Sequence, residues 1–255
     1  MNVKILTTFS REYWDKTAQF TVKYWHNFMP NSWKLILHDT PDVGLKYHKL
    51  IFSHNKNEWI KKAILVSKEF INKNPCFPLG VNSWFTFCHK AFAIWETYED
   101  DPQGILFWCD SDILWKKNLD DKIILNALDN KFCGYFAADL GRAGADTGIL
   151  FFDLNHPIAK DFFLLYKNNY LSFDIFKKDL WYDAENFIFT KSFFNSSMFN
   201  DIAKHVQPTR GPIYKSYFRD YCDHWMGGIN KSAGKLVKTF TESDETLIKK
   251  GNLKL

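Results

Sequence analysis

The sequence predicts an α/β protein, a three-layer domain around a mostly parallel central sheet. Two observations carry this. Strand-like and helix-like segments alternate along most of the chain, the pattern of stacked β–α units. The stretch Gly104-Ile105-Leu106-Phe107-Trp108-Cys109 is apolar and uncharged and follows a long helical segment, so it reads as a buried parallel strand. With 46% hydrophobic and 24% charged residues the composition is that of a globular protein. No linker-like tract, repeat or low-complexity run divides the 255 residues. The expectation is one domain over 1–255, its segment from about Asp174 closing over the sheet's edge.

Val3–Phe9 reads as the first strand, ending in the polar Thr7-Thr8-Phe9-Ser10. Across Glu12–Phe28, Trp14, Ala18, Val22 and Trp25 recur at helical spacing until Pro30 intervenes, which predicts a helix. Trp33–Leu37 is a second strand, followed by His38-Asp39. Glu58–Ile71 and Asn82–Tyr98 carry apolar residues on related faces and are read as helices. After the strand that ends at Cys109 come a short helix Lys122–Leu128, a strand near Phe132–Ala137 and a strand Gly148–Phe152. Pro157 opens a further helix to about Tyr166. The end, Thr241–Leu255, is a polar tail.

Charge and cysteine content narrow the function. A net charge of +4, with lysines spread along the chain, does not suit nucleic acid but suits a small phosphate-bearing ligand. Aromatics reach 18%, with 25 Phe, 11 Tyr and 10 Trp; such faces stack on sugars and bases, yet most must be core. Five cysteines, odd in number and without Cys-x-x-Cys spacing, fit a reducing compartment, with Cys88, Cys109 and Cys133 in apolar contexts. Met1-Asn2-Val3-Lys4-Ile5-Leu6 lacks a signal peptide's apolar core, and no apolar run is long enough to span a bilayer. A cytoplasmic protein is expected; the sequence does not indicate its oligomeric state.

The apolar strand leads directly into Asp110-Ser111-Asp112. Residues i and i+2 of an extended chain point the same way, and ligands of α/β sheets bind beyond the carboxyl ends of strands. Two carboxylates held together there call for a cation, and a hard divalent ion that also takes phosphate oxygens answers. The alternative is an acidic turn after a strand. Far downstream, His224-Trp225-Met226-Gly227-Gly228-Ile229-Asn230-Lys231 combines an imidazole, a glycine pair and a lysine. Imidazole and carboxylate can share one ion of the manganese type, Gly227 and Gly228 permit close backbone approach, and Lys231 offers a charge for phosphate. A turn with a surface histidine is the plainer reading. Asp146-Thr147-Gly148 is a polar entry into a buried strand, able to hold ligand hydroxyls or simply to turn. Asp183, in Trp181-Tyr182-Asp183-Ala184-Glu185-Asn186, is either a catalytic acid or a helix cap. Lys90 is a lone cation in an apolar helix, reaching solvent with its stem or meeting a buried anion. Gly-x-Gly-x-x-Gly, Walker-type, His-Glu-x-x-His and Gly-x-Ser-x-Gly patterns are absent from the sequence.

These residues, in this order, resemble the nucleotide-sugar glycosyltransferases of the GT-A fold, especially the glycogenin- and galactosyltransferase-like family 8. The matching parts are Asp110-Ser111-Asp112, Asp146-Thr147-Gly148, Asp183-Ala184-Glu185, the His224–Gly227–Lys231 close, and the lysine-bearing helix around Lys90–Glu96. They extend from about Val3 to Lys235. The chain departs in having Asp146 for Asn, Ala184 for Gln, and Lys231 one position later than the pattern, without the usual Pro-Trp. The resemblance implies a UDP-sugar donor, Mn²⁺ or Mg²⁺, and a glycan or other hydroxyl acceptor. It assigns the ion to Asp112 and His224, with Asp110 sharing it or meeting the ribose, and counts Ser111 among the donor-binding residues. Lys231 and Lys90 add charge at the diphosphate, with Gly227 beside it. Thr7 and Thr8 face the nucleoside, and Arg142, Asp146 and Thr147 approach the sugar. Asp183 stands at the reacting centre, as general base or as a group orienting acceptor. A sugar-1-phosphate nucleotidyltransferase is a rival, although Leu6-Thr7-Thr8-Phe9-Ser10 is not its glycine-rich basic loop. A non-catalytic carbohydrate-binding protein is another, which leaves the Asp pair and His224 unexplained.

Overall fold

The computed structural model describes residues 1–38, 40–45, 50–53, 81–138, 144–172, 182–204, 213 and 216–224. The helix expected over Glu58–Ile71, the tail, Arg142, Gly227 and Lys231 lie outside the described residues.

The described strands form a seven-stranded sheet. Its centre is β1 (Val3–Thr7), with every residue buried, flanked in parallel by β2 (Lys34–His38) and β4 (Ile105–Cys109). β3 (Leu50–Ser53) extends the sheet beyond β2, also in parallel. On the other side β4 pairs with β7 (Ala145–Asp153), which pairs with β6 (Cys133–Ala137), which pairs with β8 (Phe199–Asp201). Only β7 of the seven runs against the rest, so the sheet is mostly parallel, as the sequence pattern predicts. The run expected to start at Gly148 instead begins at Ala145. The pairing of β6 with β7 shifts register between Gly134 and Phe136, which marks a β-bulge opposite the start of β7. In the C-terminal part, β8 forms one edge of the described sheet.

Helices cover both faces. One carries α2 (Val81–Asp100), α4 (Ala159–Leu171) and α5 (Asp183–Lys191), whose Phe92, Phe162, Phe163 and Phe187 are fully buried against Leu106, Leu150 and Phe152. The other carries Trp14, Trp25 and Trp33 and α3 (Asp121–Leu128), packed on Ile5, Leu35, Phe107 and Phe151. Phe132 alone has Phe152, Phe162 and Phe199 within 5.1–5.8 Å between ring centroids. Each such pair contributes about 1 kcal/mol beyond area burial. Among the described residues, most of the aromatic side chains are thus buried in the core.

The helix predicted over Glu12–Phe28 is broken. α1 covers only Arg11–Lys16, followed by 3₁₀ segments at Ala18–Phe20 and Val22–Asn27. Ser10 caps α1 by accepting from the Tyr13 N–H at 3.1 Å. Thr17 then leaves helical geometry, with φ −142°. Thr21 donates its hydroxyl to the Ser111 carbonyl, and Trp25 its indole N–H to the Ile113 carbonyl at 2.8 Å. Tertiary anchors on the segment 111–113 override a periodicity that two β-branched threonines already weaken.

Past Cys109 the chain turns into β5 (Ile113–Trp115), which forms a separate antiparallel ribbon with β9 (Cys222–His224). Its register sets Ile113 opposite His224. No described helix is long and apolar enough to cross a membrane.

Candidate active site

Asp110 and Asp112 converge, though not by strand alternation. The Asp110 N–H donates to the Gly148 carbonyl at 2.7 Å, and the Ile113 N–H donates back to the Asp110 carbonyl at 3.0 Å. A tight turn at the end of β4 therefore brings both carboxylates to one place, and Ser111 is buried within it. The ribbon adds the third group. One ligand atom each from Asp110, Asp112 and His224 lies within 4.8 Å of the other two. His224 Nε2 stands 3.4 Å from Asp112 Oδ1. Two ligands of one ion are about 3 Å apart in octahedral geometry, so this spacing suits an ion between them. Two carboxylates and an imidazole form a donor set for a manganese-type ion.

The electrostatics point the same way. Burial pushes the Asp110 carboxyl above its usual range; Lys90 opposes this, and Asp112 and Asp183 reinforce it. Burial pulls the His224 imidazole down, but the Asp112 and Asp146 carboxylates hold it well above the ordinary value. A concentration of buried negative charge is what a divalent cation relieves.

Gly148 makes room for the imidazole. A Cβ there would lie 2.6 Å from His224 Cε1 and 3.0 Å from Nε2. Gly148→Ala should therefore cost roughly 1–3 kcal/mol in urea unfolding, the range of an overpacked site. Adding His224→Ala should cost less in that variant than in the unaltered protein, because removing the imidazole relieves the clash that the new Cβ introduces. Equal costs in the two backgrounds would place the clash elsewhere.

Lys90 does not reach solvent. Its ammonium, on α2, donates to the Thr147 carbonyl at 2.9 Å, pairs with Asp110 Oδ1 at 3.1 Å and bonds Asp183 Oδ2. The three donors of an ammonium thus each have a partner, two of them carboxylates. It also sits 5.0 Å from the Trp108 ring, whose indole N–H donates to Asp110 Oδ1 at 2.6 Å. Burial lowers the lysine's pKa, but Asp110 and Asp183 outweigh it and leave it raised. Asp183 opens α5 without capping it. The cap is Tyr182, whose N–H is accepted by Glu185 at 3.2 Å. The Asp183 carboxylate is buried, receiving the Thr147 hydroxyl at 2.6 Å as well as Lys90.

The remaining candidates divide. Asp146 lies against His224, and Thr147 against Lys90 and Asp183. Thr8, half-buried, follows β1, whereas Thr7 is fully buried and its hydroxyl has no hydrogen-bond partner among the described residues. Sequence reasoning missed Tyr13, whose phenol donates to Asp112 Oδ2 at 2.9 Å, and the role of Trp108. Strand alternation puts Trp108 on the side of Asp110 and could have found it. No spacing rule leads to Tyr13, which arrives from a different element.

No protein-family model and no curated protein matches the chain. Solved structures do. A glycosyltransferase involved in glycosylating the major capsid of PBCV-1 aligns with a TM-score of 0.51 at 15% identity, over 89% of this chain and 96% of that one. Core-mannan synthase A from Aspergillus fumigatus, in its Mn/GDP form, aligns with a TM-score of 0.51 at 12% identity, over 88% and 75%. Mouse xyloside xylosyltransferase 1, in its apo form, scores 0.47 at 10% identity over 86% and 94%. The mixed sheet and the first two likenesses define the GT-A fold.

Proposed function

We propose that this chain is a metal-dependent glycosyltransferase moving a sugar from a nucleoside-diphosphate sugar, a UDP-sugar, to a glycan or other hydroxyl acceptor, with 1–255 acting as one catalytic domain. The observation that supports it most is the meeting of Asp110, Asp112 and His224 beyond the carboxyl end of β4, in a GT-A sheet. These three would hold Mn²⁺ or Mg²⁺, which would neutralise charge developing on the departing diphosphate. Lys90 keeps Asp110 and Asp183 apart as paired charges, and Asp183 acts at the reacting sugar with Thr147 fixing its carboxylate. Thr8 contacts the nucleoside. Arg142, Gly227 and Lys231 complete the donor site in the family 8-like manner.

Differential melting with nucleotides tests this. UDP at a hundredfold excess over its dissociation constant, with Mn²⁺, should stabilise the protein by about 2.7 kcal/mol, or a Tm rise of roughly 5–10 °C for a chain of this size. EDTA should abolish the rise. A larger response to GDP, the nucleotide of the Aspergillus enzyme's Mn/GDP form, would overturn the uridine assignment. No response to any nucleoside diphosphate would favour a carbohydrate binder, and a requirement for pyrophosphate a nucleotidyltransferase.

A further inference from the structure

The family 8 resemblance assigns Asp146 to the sugar, but its carboxylate is turned elsewhere. Asp146 Oδ2 lies 3.6 Å from His224 Nδ1, while Nε2 of the same ring faces Asp112 Oδ1 at 3.4 Å. The imidazole is therefore held between two carboxylates, one on each nitrogen. Asp146 is itself fixed: it is 5% exposed, and its Oδ1 accepts the Gly148 N–H at 3.0 Å. Along β7, Asp146 and Gly148 both face the imidazole, one with a carboxylate and the other with the space left by a missing Cβ. Thr147 between them faces Lys90 and Asp183. The strand's alternation thus sends one pair of residues to the histidine and one residue to the opposite half of the site.

A histidine that ligates a metal through one nitrogen needs a proton on the other, and a carboxylate there fixes both tautomer and ring orientation. We propose that Asp146 is the positioning residue of His224. It takes the Nδ1–H of the neutral ring and so presents the Nε2 lone pair toward the ion shared with Asp110 and Asp112. This rests on the metal reading of the preceding subsection. It also gives a physical reason for an aspartate where the resembled family has asparagine: with Oδ1 taken by the Gly148 N–H, a carboxylate still has Oδ2 to accept from the ring and strengthen its basicity, whereas an amide would turn a donor toward it.

Mn²⁺ binding to the full chain without nucleotide, followed by electron paramagnetic resonance of the free ion, tests both claims separately. Asp146→Asn keeps an oxygen for the Gly148 N–H and should raise the Mn²⁺ dissociation constant about 10–100-fold. In the His224→Ala background the same change should have little further effect, because it acts through the ring. Unchanged Mn²⁺ affinity in Asp146→Asn, above all with a raised KM for the donor, would overturn the proposal and return Asp146 to the sugar. Additive losses in the double variant would overturn it too, since they mean a direct field effect on the ion. If the unaltered protein binds no Mn²⁺, or His224→Ala binds it equally well, the metal reading itself fails and this inference falls with it.

Discussion

Asp112→Ala is expected to lower donor turnover on the order of a thousandfold, about 4 kcal/mol of barrier, since a lost ligand forfeits most of the charge stabilisation at the diphosphate. The fold should survive. The turn that carries Asp112 is held by backbone bonds to Gly148 and Asp110 and by Thr21 and Trp25, none of which involves the carboxylate. The local cost is the Tyr13 phenol's acceptor, about 1 kcal/mol, together with one of the two carboxylates that flank the His224 imidazole. Removing one of two crowded carboxylates returns part of that by relieving repulsion. Release of nucleoside diphosphate from donor in Mn²⁺, with urea unfolding alongside, checks both halves. Combining Asp112→Ala with His224→Ala should be little worse than the worse single variant, because groups that hold one ion act as a unit. Near-normal turnover in Asp112→Ala with Mn²⁺ would remove the ion from this site.

Lys90→Met should give the largest loss of stability, about 3–5 kcal/mol, because it leaves Asp110 and Asp183 without their shared buried counter-charge. The exposed Lys16–Glu12 pair, with side chains 68% and 77% accessible, sets the contrast, since water screens it and its removal should leave stability nearly unchanged. The pH dependence has a definite sign. The folded pKa of Lys90 is raised above its ordinary 10.5, so its contribution is fully present below that value and is lost as pH rises through the folded one. Around neutrality it is constant. Urea unfolding of Lys90→Met against the double variant with Asp183→Asn is the check, and the second change should restore part of the loss. A loss under 1 kcal/mol for Lys90→Met would mean that the ion cluster is solvated.

The sequence made legible what rests on runs and on chemistry packed into few residues. β4 announced itself by six uncharged residues, and Asp110-Ser111-Asp112 by two carboxylates at its end. The buried partner of Lys90 could be framed as an alternative, since a cation in an apolar helix poses the question by itself. What stayed hidden depends on contacts between elements. The broken helix after β1 follows from Thr21 and Trp25 reaching the segment 111–113, and Tyr13 reaches Asp112 from the same piece. His224 was recognisable as an imidazole near glycines, but its place opposite Ile113 follows from a three-residue ribbon that has no signature in hydrophobic period. Asp146 was placed at a polar strand entry; which way its carboxylate turns depends on the strand's phase, and that is set by the bulge.

That bulge has a consequence for which changes the chain can tolerate. Beyond it, Ile149 and Phe151 belong to the core under the tryptophan face, and Leu150 and Phe152 to the core under α2. Before it, Asp146 and Gly148 look toward His224, and Thr147 toward Lys90 on α2. Odd and even positions therefore exchange sides between Gly148 and Ile149, and a strand without the interruption could not satisfy the site and both cores together. Along this strand, similar-sized apolar replacements at Leu150 or Phe152 are minor edits. A single-residue deletion at the bulge is a frame error: with the cores holding their half in place, it would deliver Thr147 to the histidine and Asp146 to the lysine.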